Sequence, residues 1–238
     1  MEIVRDLAAC PRPENGCVVT IGAYDGVHLG HRAVIAEVRR LAGERRCATA
    51  LVTFDRHPAT VVRPESAPKL LTDLDQKLEL LASTGLDYVL VIRFDAERSQ
   101  ESAEDFVQEV LADCLSARAV VVGHDFHFGR GRAGNVSLLA AMGGELGFDV
   151  LGLRLTEGAG EAISSTRVRT LLGAGRVEDA AELLGRPHQV RGVVRSGDRR
   201  GRELGFPTAN VHVPADILLP ADGIYAGWFL RADGARLA

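Results

Sequence analysis

The sequence predicts an α/β protein: a doubly wound parallel sheet followed by part of a small β-barrel. Three observations carry this reading. Val/Leu-rich runs recur without alternating in polarity, as expected of strands buried on both faces of a parallel sheet. Segments with helical periodicity separate those runs. After Gln189 the pattern turns to short apolar stretches broken by glycine and proline, as in a small barrel.

Strands are expected at Cys17–Ile21, Cys47–Phe54, Tyr88–Phe94, Ala119–Val122 and Phe148–Leu153. Between them, Ala33–Leu41 carries Val34, Ile35, Val38 and Leu41 at helical spacing, and Leu74–Leu81 carries Leu74, Leu78 and Leu81 behind Asp73 and Asp75. Ser102–Leu115 opens on a capping Ser102 with Asp105 three residues on, and buries Phe106, Val110 and Leu111. Two short helices follow Ser164, at Thr166–Leu172 and Val177–Leu184, and the second stops at Gly185-Arg186-Pro187. The boundary is therefore set at Arg186, giving a sheet domain over 1–185 and an incomplete β domain over 186–238.

Composition bounds the function. With 238 residues, 46% apolar and 25% charged, there is room for one large domain and part of another. A net charge of -4 offers no basic surface for nucleic acid, although residues 186–238 hold eight basic against five acidic residues. Cys10, Cys17, Cys47 and Cys114 show no CxxC pairing, which reads as reduced, mostly buried thiols in a cytoplasmic protein. Glu2, Arg5 and Asp6 rule the N-terminus out as a signal peptide, and no uncharged apolar run is long enough for a membrane span. Nothing in the sequence fixes an oligomeric state.

Five segments carry chemistry. The first, Gly22-Ala-Tyr-Asp-Gly-Val-His-Leu-Gly-His31, leaves a buried strand and opens a helix. Backbone N–H groups and the positive helix end favour an anion there, Gly30 permits close approach, and His28 and His31 can donate to charge developing on phosphorus. Gly22, Tyr24, Asp25 and Gly30 are taken as nucleotide-binding, His28 and His31 as catalytic. A capping pair or half a metal site are the plainer alternatives. The second, Thr53-Phe-Asp-Arg-His-Pro58, leaves the next strand at the same sheet edge, where Phe54, His57 and Pro58 are assigned to the ligand. A simple turn is the alternative.

The third segment, Val122 to Asn135, contains Gly129, Gly131 and Gly134 at G-x-G-x-x-G spacing, with Glu157 beyond. A dinucleotide fold needs its first glycine directly after the strand, and His124-Asp-Phe-His-Phe128 intervenes, so a basic loop with Arg130 and Arg132 near phosphates fits better. Asp125 is taken to help bind the nucleotide or a metal, with a solvated turn as the plainer alternative; no Cys or carboxylate completes a zinc set with His124 and His127 at a familiar spacing. The fourth, Ile163 to Arg169, offers Ser165 or Thr166 as a helix cap, while Ser164, Ser165, Thr166 and Arg167 face an anion as a second phosphate clamp. The fifth, Gly197 to Asn210, frames a flap between Gly201 and Gly205, with Pro207 ahead of Thr208 and Asn210. A hydroxyl and an amide oxygen two residues apart can complete a Mg²⁺–phosphate shell.

In this order the five segments resemble the bacterial bifunctional riboflavin kinase/FMN adenylyltransferase (FAD synthetase) family over nearly the whole chain. The resemblance implies a Rossmann-like nucleotidyltransferase making FAD from FMN and ATP, then a kinase barrel making FMN from riboflavin and ATP. On the matched motifs, His28 and His31 would contact the ATP phosphates. His57, Asp125 and Arg167 would join that site; Gly201, Gly205, Pro207, Thr208 and Asn210 would form the kinase Mg-ATP site. The partners so implied are the small molecules ATP, FMN and riboflavin, with Mg²⁺.

Two residues depart from the family pattern. Arg56 stands where T-F-D-P-H-P has proline, and His127 where a basic or small polar residue is common. The family's barrel also runs well past Ala238, so this chain is expected to transfer AMP but to phosphorylate riboflavin poorly. Two other functions compete: a nucleotidyltransferase of the same sheet type with a phosphocholine-like, pantetheine or nicotinate nucleotide acceptor, and a non-catalytic flavin- or nucleotide-binding regulator.

Overall fold

A six-stranded parallel sheet organises the first three quarters of the chain, in a computed structural model that describes residues 1–154, 162–197, 205, 208–231, 233–234 and 236–237. Its first strand, β1 (Glu2–Val4), is an edge strand pairing with β4, and β2 (Cys17–Ile21) lies at the centre. From β2 the chain enters α1 (Leu29–Arg45) and returns through β3 (Ala48–Phe54). The short α2 (Ala59–Val62) and then α3 (Leu74–Ala82) precede β4 (Tyr88–Ile92). Asp73 starts α3 with a full capping box to Gln76.

The chain then crosses to the other side of β2. The expected Ser102–Leu115 helix is α4 (Ala103–Phe106) running into a π-helix over Val107–Cys114, capped by Ser102 as predicted. It leads to β5 (Ala117–Gly123), a small hairpin of β6 (His127–Phe128) and β7 (Gly134–Asn135), α5 (Val136–Leu146) and β8 (Asp149–Leu153). The strand order β1-β4-β3-β2-β5-β8 reverses direction at β2/β5, which makes the carboxyl ends of those two strands the natural ligand crevice.

Alternate strand residues feed opposite faces. Val19, Ile21, Val52, Leu90 and Val120 pack with Phe106, Val110, Leu111 and Leu139 on one side. Val18, Leu51, Val89 and Val121 pack with Val34, Ile35, Val38, Leu78 and Leu81 on the other. A third, smaller core joins α6 (Ser165–Gly173) and α7 (Val177–Leu184) through Leu71, Val168, Leu172, Ala180 and Leu184.

Beyond α7, the described residues of the expected barrel form two separate antiparallel ribbons. One pairs β9 (Val193–Arg195) with β10 (Asn210–His212), the other β11 (Phe229–Leu230) with β12 (Arg236–Leu237). Val193, Val194 and Leu230 are exposed on them, as are Ile224 and Trp228 ahead of β11.

One expectation is overturned. The cysteines are not all reduced: Cys10 and Cys114 are joined by a disulfide, tying the segment before β2 to the end of the π-helix, while Cys17 and Cys47 remain thiols. Sequence spacing could not indicate the pair, since 104 residues separate its members. Among the described residues no helix is long and apolar enough to cross a membrane.

Gly143, inside α5, sits against the chain end of the next strand: a Cβ there would lie 2.5 Å from the Phe148 carbonyl and 2.9 Å from its ring. Helix propensity favours alanine over glycine by about 1 kcal/mol, but backbone overlap outweighs it. Gly143→Ala is expected to destabilise by about 1–3 kcal/mol. Urea unfolding measures this, and equal or higher stability would refute the packing described.

Candidate active site

The first turn of α1 lies where the sheet meets α6. His28 caps α1: its Nδ1 accepts the His31 N–H at 3.2 Å. A neutral ring accepting at Nδ1 carries its proton on Nε2, so this bond sets His28 as an Nε2–H donor. The His28 and His31 rings stack at 3.6 Å, and Tyr24 packs on His31 at 4.6 Å. The Tyr24 hydroxyl shares a 2.7 Å hydrogen bond with Thr20. His31 Nδ1 is buried and has no hydrogen-bond partner among the described residues.

Burial keeps both imidazoles neutral. His28 is pushed down to about 4 by burial, with Arg169 and Arg186 acting in the same direction and Asp25 opposing. His31 is held well below its usual range by burial, helped by His28, Lys77 and Arg169.

Gly30 brings the two helices together. A Cβ at this position would lie 2.9 Å from the Ile163 carbonyl, so only glycine lets α1 close on the residue before the α6 cap. That cap is Ser164, whose Oγ accepts the Arg167 N–H at 3.2 Å. The expected capping residues, Ser165 and Thr166, do otherwise: Ser165 donates its hydroxyl to the Asp25 carbonyl at 2.9 Å, and Thr166 is exposed. Ser164 wins because it is the last extended residue before the helix (φ -139°, ψ 155°), the conformation a capping side chain needs. Arg167 is half-buried on the first turn of α6.

Asp25 is the clasp of the loop between β2 and α1. Its carboxylate is 5% exposed. It accepts the Leu71 N–H at 3.0 Å, the Thr72 N–H at 3.1 Å, the Thr72 hydroxyl at 3.2 Å and Arg169 Nη2 at 2.5 Å. The Thr72 hydroxyl in turn accepts the Gly26 N–H, and Arg186 donates to the Gly26 carbonyl at 2.7 Å. Expected to touch nucleotide, Asp25 is instead engaged by donors from the protein itself. Gly22 extends the β2–β3 ladder by donating to the Val52 carbonyl.

At the end of β3, a small, shallow crevice is lined by Ala23, Asp25, Asp55, Arg56, His57, Leu70, Thr72, Leu74 and Lys77. His57 Nδ1 accepts the Ala59 N–H at 3.1 Å, and Pro58 takes the cap position of α2. The Phe54 ring turns from the crevice to pack edge-on against Phe94 at 5.3 Å. Arg56, standing in for proline, pairs with Asp55 at 3.0 Å. Lys77 is 7% exposed, and burial draws its ammonium down to about 8 against the pull of Asp25 and Asp55. Thr72, Lys77, Arg169 and Arg186 belong to the site and were missed by sequence reasoning.

The remaining candidates scatter. Asp125 is exposed just past β5, and its carbonyl meets His127 Nδ1 at 2.7 Å. The G-x-G-x-x-G glycines lie in the β6–β7 hairpin and its turn rather than at a strand-to-helix junction, in keeping with their rejection as a dinucleotide fingerprint; Glu157 lies outside the described residues. Gly201 and Pro207 also fall outside them, while Gly205, Thr208 and Asn210 are exposed at the approach to β10. Thr208 and Asn210 supply neutral oxygens, a donor set that suits a Mg²⁺ keeping waters and phosphate oxygens. Among the described residues no group of three His, Cys, Asp or Glu is placed to hold a metal.

The lowered His28 pKa makes a pH prediction. Unfolded, the ring titrates near 6.5 and binds protons that the folded ring refuses, so its contribution is complete above 6.5 and is lost as pH falls toward 4. That amounts to roughly 2–3 kcal/mol for His28. His28→Asn, which keeps a capping acceptor, should lose less stability than wild type between pH 7 and 4.5 (about these values) in urea titrations. An identical loss in both would show that His28 does not titrate as described.

Two family models match the chain: "FAD synthetase" over residues 10–167 and "Riboflavin kinase" over residues 184–237. It is 40% identical over 214 residues to the bifunctional riboflavin kinase/FMN adenylyltransferase of Escherichia coli K12, covering 90% of this chain and 68% of that protein. The Listeria monocytogenes protein of the same name is 40% identical over 91% of this chain and 68% of its own. The Pseudomonas fluorescens one is 38% identical over 94% and 72%. A crystal structure described as a macrolide-efflux protein from Streptococcus pneumoniae superposes with TM-score 0.80 at 24% identity, over 98% of this chain and 81% of that one, a likeness of fold alone. The chain belongs to the bacterial bifunctional riboflavin kinase/FMN adenylyltransferase (FAD synthetase) family.

Proposed function

We propose that the sheet domain transfers AMP from ATP to FMN, forming FAD and pyrophosphate. The observation that carries this reading is the stacked, neutral pair His28 and His31 at the start of α1, where Gly30 closes on Ile163 just before α6, with His31 Nδ1 lacking a partner among the described residues. Two helix N-termini brought together offer backbone donors and positive dipole ends to a triphosphate. The unpartnered Nδ1 needs a ligand atom to satisfy it.

In the reaction an FMN phosphate oxygen forms a bond to the α-phosphorus as the bond to the β-phosphate oxygen breaks, and pyrophosphate departs with that electron pair. No covalent enzyme intermediate is needed, so positioning and electrostatics supply the rate. His28, through Nε2–H, and His31 donate hydrogen bonds to the phosphate oxygens where charge accumulates. Mg²⁺, held largely by those phosphates, neutralises charge when bound. In this reading the crevice lined by Arg56, His57 and Lys77 is taken as the acceptor side.

A second reading concerns residues 186–238, and the riboflavin kinase family model supports it. Thr208 and Asn210 would hold Mg-ATP beside Gly201, Gly205 and Pro207. Among the described residues the two ribbons do not pair with each other and Val193, Val194, Trp228 and Leu230 are exposed, so residues 1–238 are expected to phosphorylate riboflavin poorly.

Chromatographic separation of FMN and FAD after incubation with FMN, ATP and Mg²⁺ tests the first reading. FAD should accumulate, and His31→Ala should lower kcat by about 10²–10³-fold. Flavin binding without FAD would favour a regulator. AMP transfer only to a phosphocholine, pantetheine or nicotinate nucleotide acceptor would favour another transferase. Riboflavin in place of FMN should yield little FMN; robust phosphorylation would overturn the second expectation.

A further inference from the structure

We propose that Lys77 is a positioning residue for the adenylyl transfer, fixing the acceptor side of the crevice against the ATP side. This rests on the function proposed above.

The geometry is specific. From α3 the Lys77 ammonium donates to three oxygens: the Phe54 carbonyl at 2.8 Å, the Thr53 hydroxyl at 3.1 Å and the Ala23 carbonyl at 3.2 Å. The Thr53 hydroxyl passes its own proton to the Ala23 carbonyl at 3.1 Å. Ala23 lies in the loop that leads to His28 and His31; Phe54 opens the loop that carries Asp55, Arg56 and His57. One buried cation therefore knots together the loops leaving two adjacent parallel strands, β2 and β3.

Among the described residues Nζ forms no ion pair: its direct contacts are all neutral oxygens, with Asp25 and Asp55 acting on it from further off, and burying an ammonium in this way is costly. What the ammonium alone supplies is three directed donors that hold two loops at one separation. In-line transfer needs the reacting atoms about 3–3.5 Å apart, and a displacement of about 1 Å costs on the order of 10²-fold in rate. Lys77 touches the backbone that carries the site, while ATP itself is held by α1 and α6.

The test separates binding from chemistry in the intact 238-residue chain. For Lys77→Met, calorimetric titration with Mg-ATP without FMN should give stoichiometry and Kd within about threefold of wild type, while kcat per ATP-binding site falls about 10- to 100-fold. Lys77→Arg, which keeps the charge but cannot reproduce three point contacts, should recover part of that loss. Thr53→Val deletes a single link and should lower kcat per site about 3- to 10-fold; it serves as the reading if Lys77→Met does not fold. A fold defect alone would reduce stoichiometry and leave kcat per remaining site unchanged. Turnover per site within about twofold of wild type, or ATP affinity falling in step with kcat, overturns the inference. Wild-type protein that forms no FAD overturns the assigned function instead, so the two failures are told apart.

Discussion

The structure depends on one carboxylate. The loop from β2 to α1 turns sharply enough to place Tyr24 and Val27 at φ +51° and +39°, a region that non-glycine residues avoid and a β-branched valine avoids most. Such backbone costs on the order of 1–3 kcal/mol per residue and persists only where neighbours over-determine it. Asp25 provides that over-determination. It takes donors from Leu71, Thr72 and Arg169, so a loop near residue 25, a turn near residue 71 and a helix near residue 169 are held at one point. His28 inherits its position from this clasp, and through Gly30 so does the meeting of α1 with α6.

The electrostatics follow from the same arrangement. The chain as a whole carries net charge -4, yet the site gathers the cations Lys77 and Arg186, each donating to backbone carbonyls, beside two helix N-termini. Arg169 is already neutralised by Asp25. Within that field, charging a buried histidine is doubly unfavourable, which is why both imidazoles stay neutral. The cations and helix ends leave room for a polyanion's charge to be matched from outside, and the triphosphate is the proposed source.

Much of this was legible in the sequence, and the reason differs by element. The strands β2 and β3 and the helices α3, α6 and α7 lie within two residues of their expected limits, because continuous apolar runs and 3.6-residue spacing are local signals. α5 was missed because Gly143 and Gly144 interrupt its periodicity, although Asn135 and Gly147 cap it normally. β1 was missed because three residues, two of them exposed, carry no pattern. In the site, the His28/Gly30/His31 segment was read correctly as a helix opening, whereas the partners of Asp25 were invisible. They lie 46 to 144 residues away, and no local spacing reports a contact that the fold creates. Cys10 and Cys114 escaped for the same reason.

Hydrogen bonds and packing contacts cross the boundary that the sequence places at Arg186. The Leu70 carbonyl accepts the Leu218 N–H at 2.7 Å and the Leu70 N–H donates to the Asp216 carbonyl at 2.8 Å, while the next N–H along, that of Leu71, serves Asp25. Ala221 N–H reaches the Leu172 carbonyl in α6, Leu218 packs on the core between α6 and α7, and Arg191 forms a two-pronged pair with Glu79 on α3. Asp216 and Leu218 are thus bonded to the peptide that holds the loop between β2 and α1, Ala221 to α6 and Arg191 to α3. The clasp that positions His28 is tied from behind by Asp216 and Leu218 through Leu70, the residue next to the one whose N–H serves Asp25.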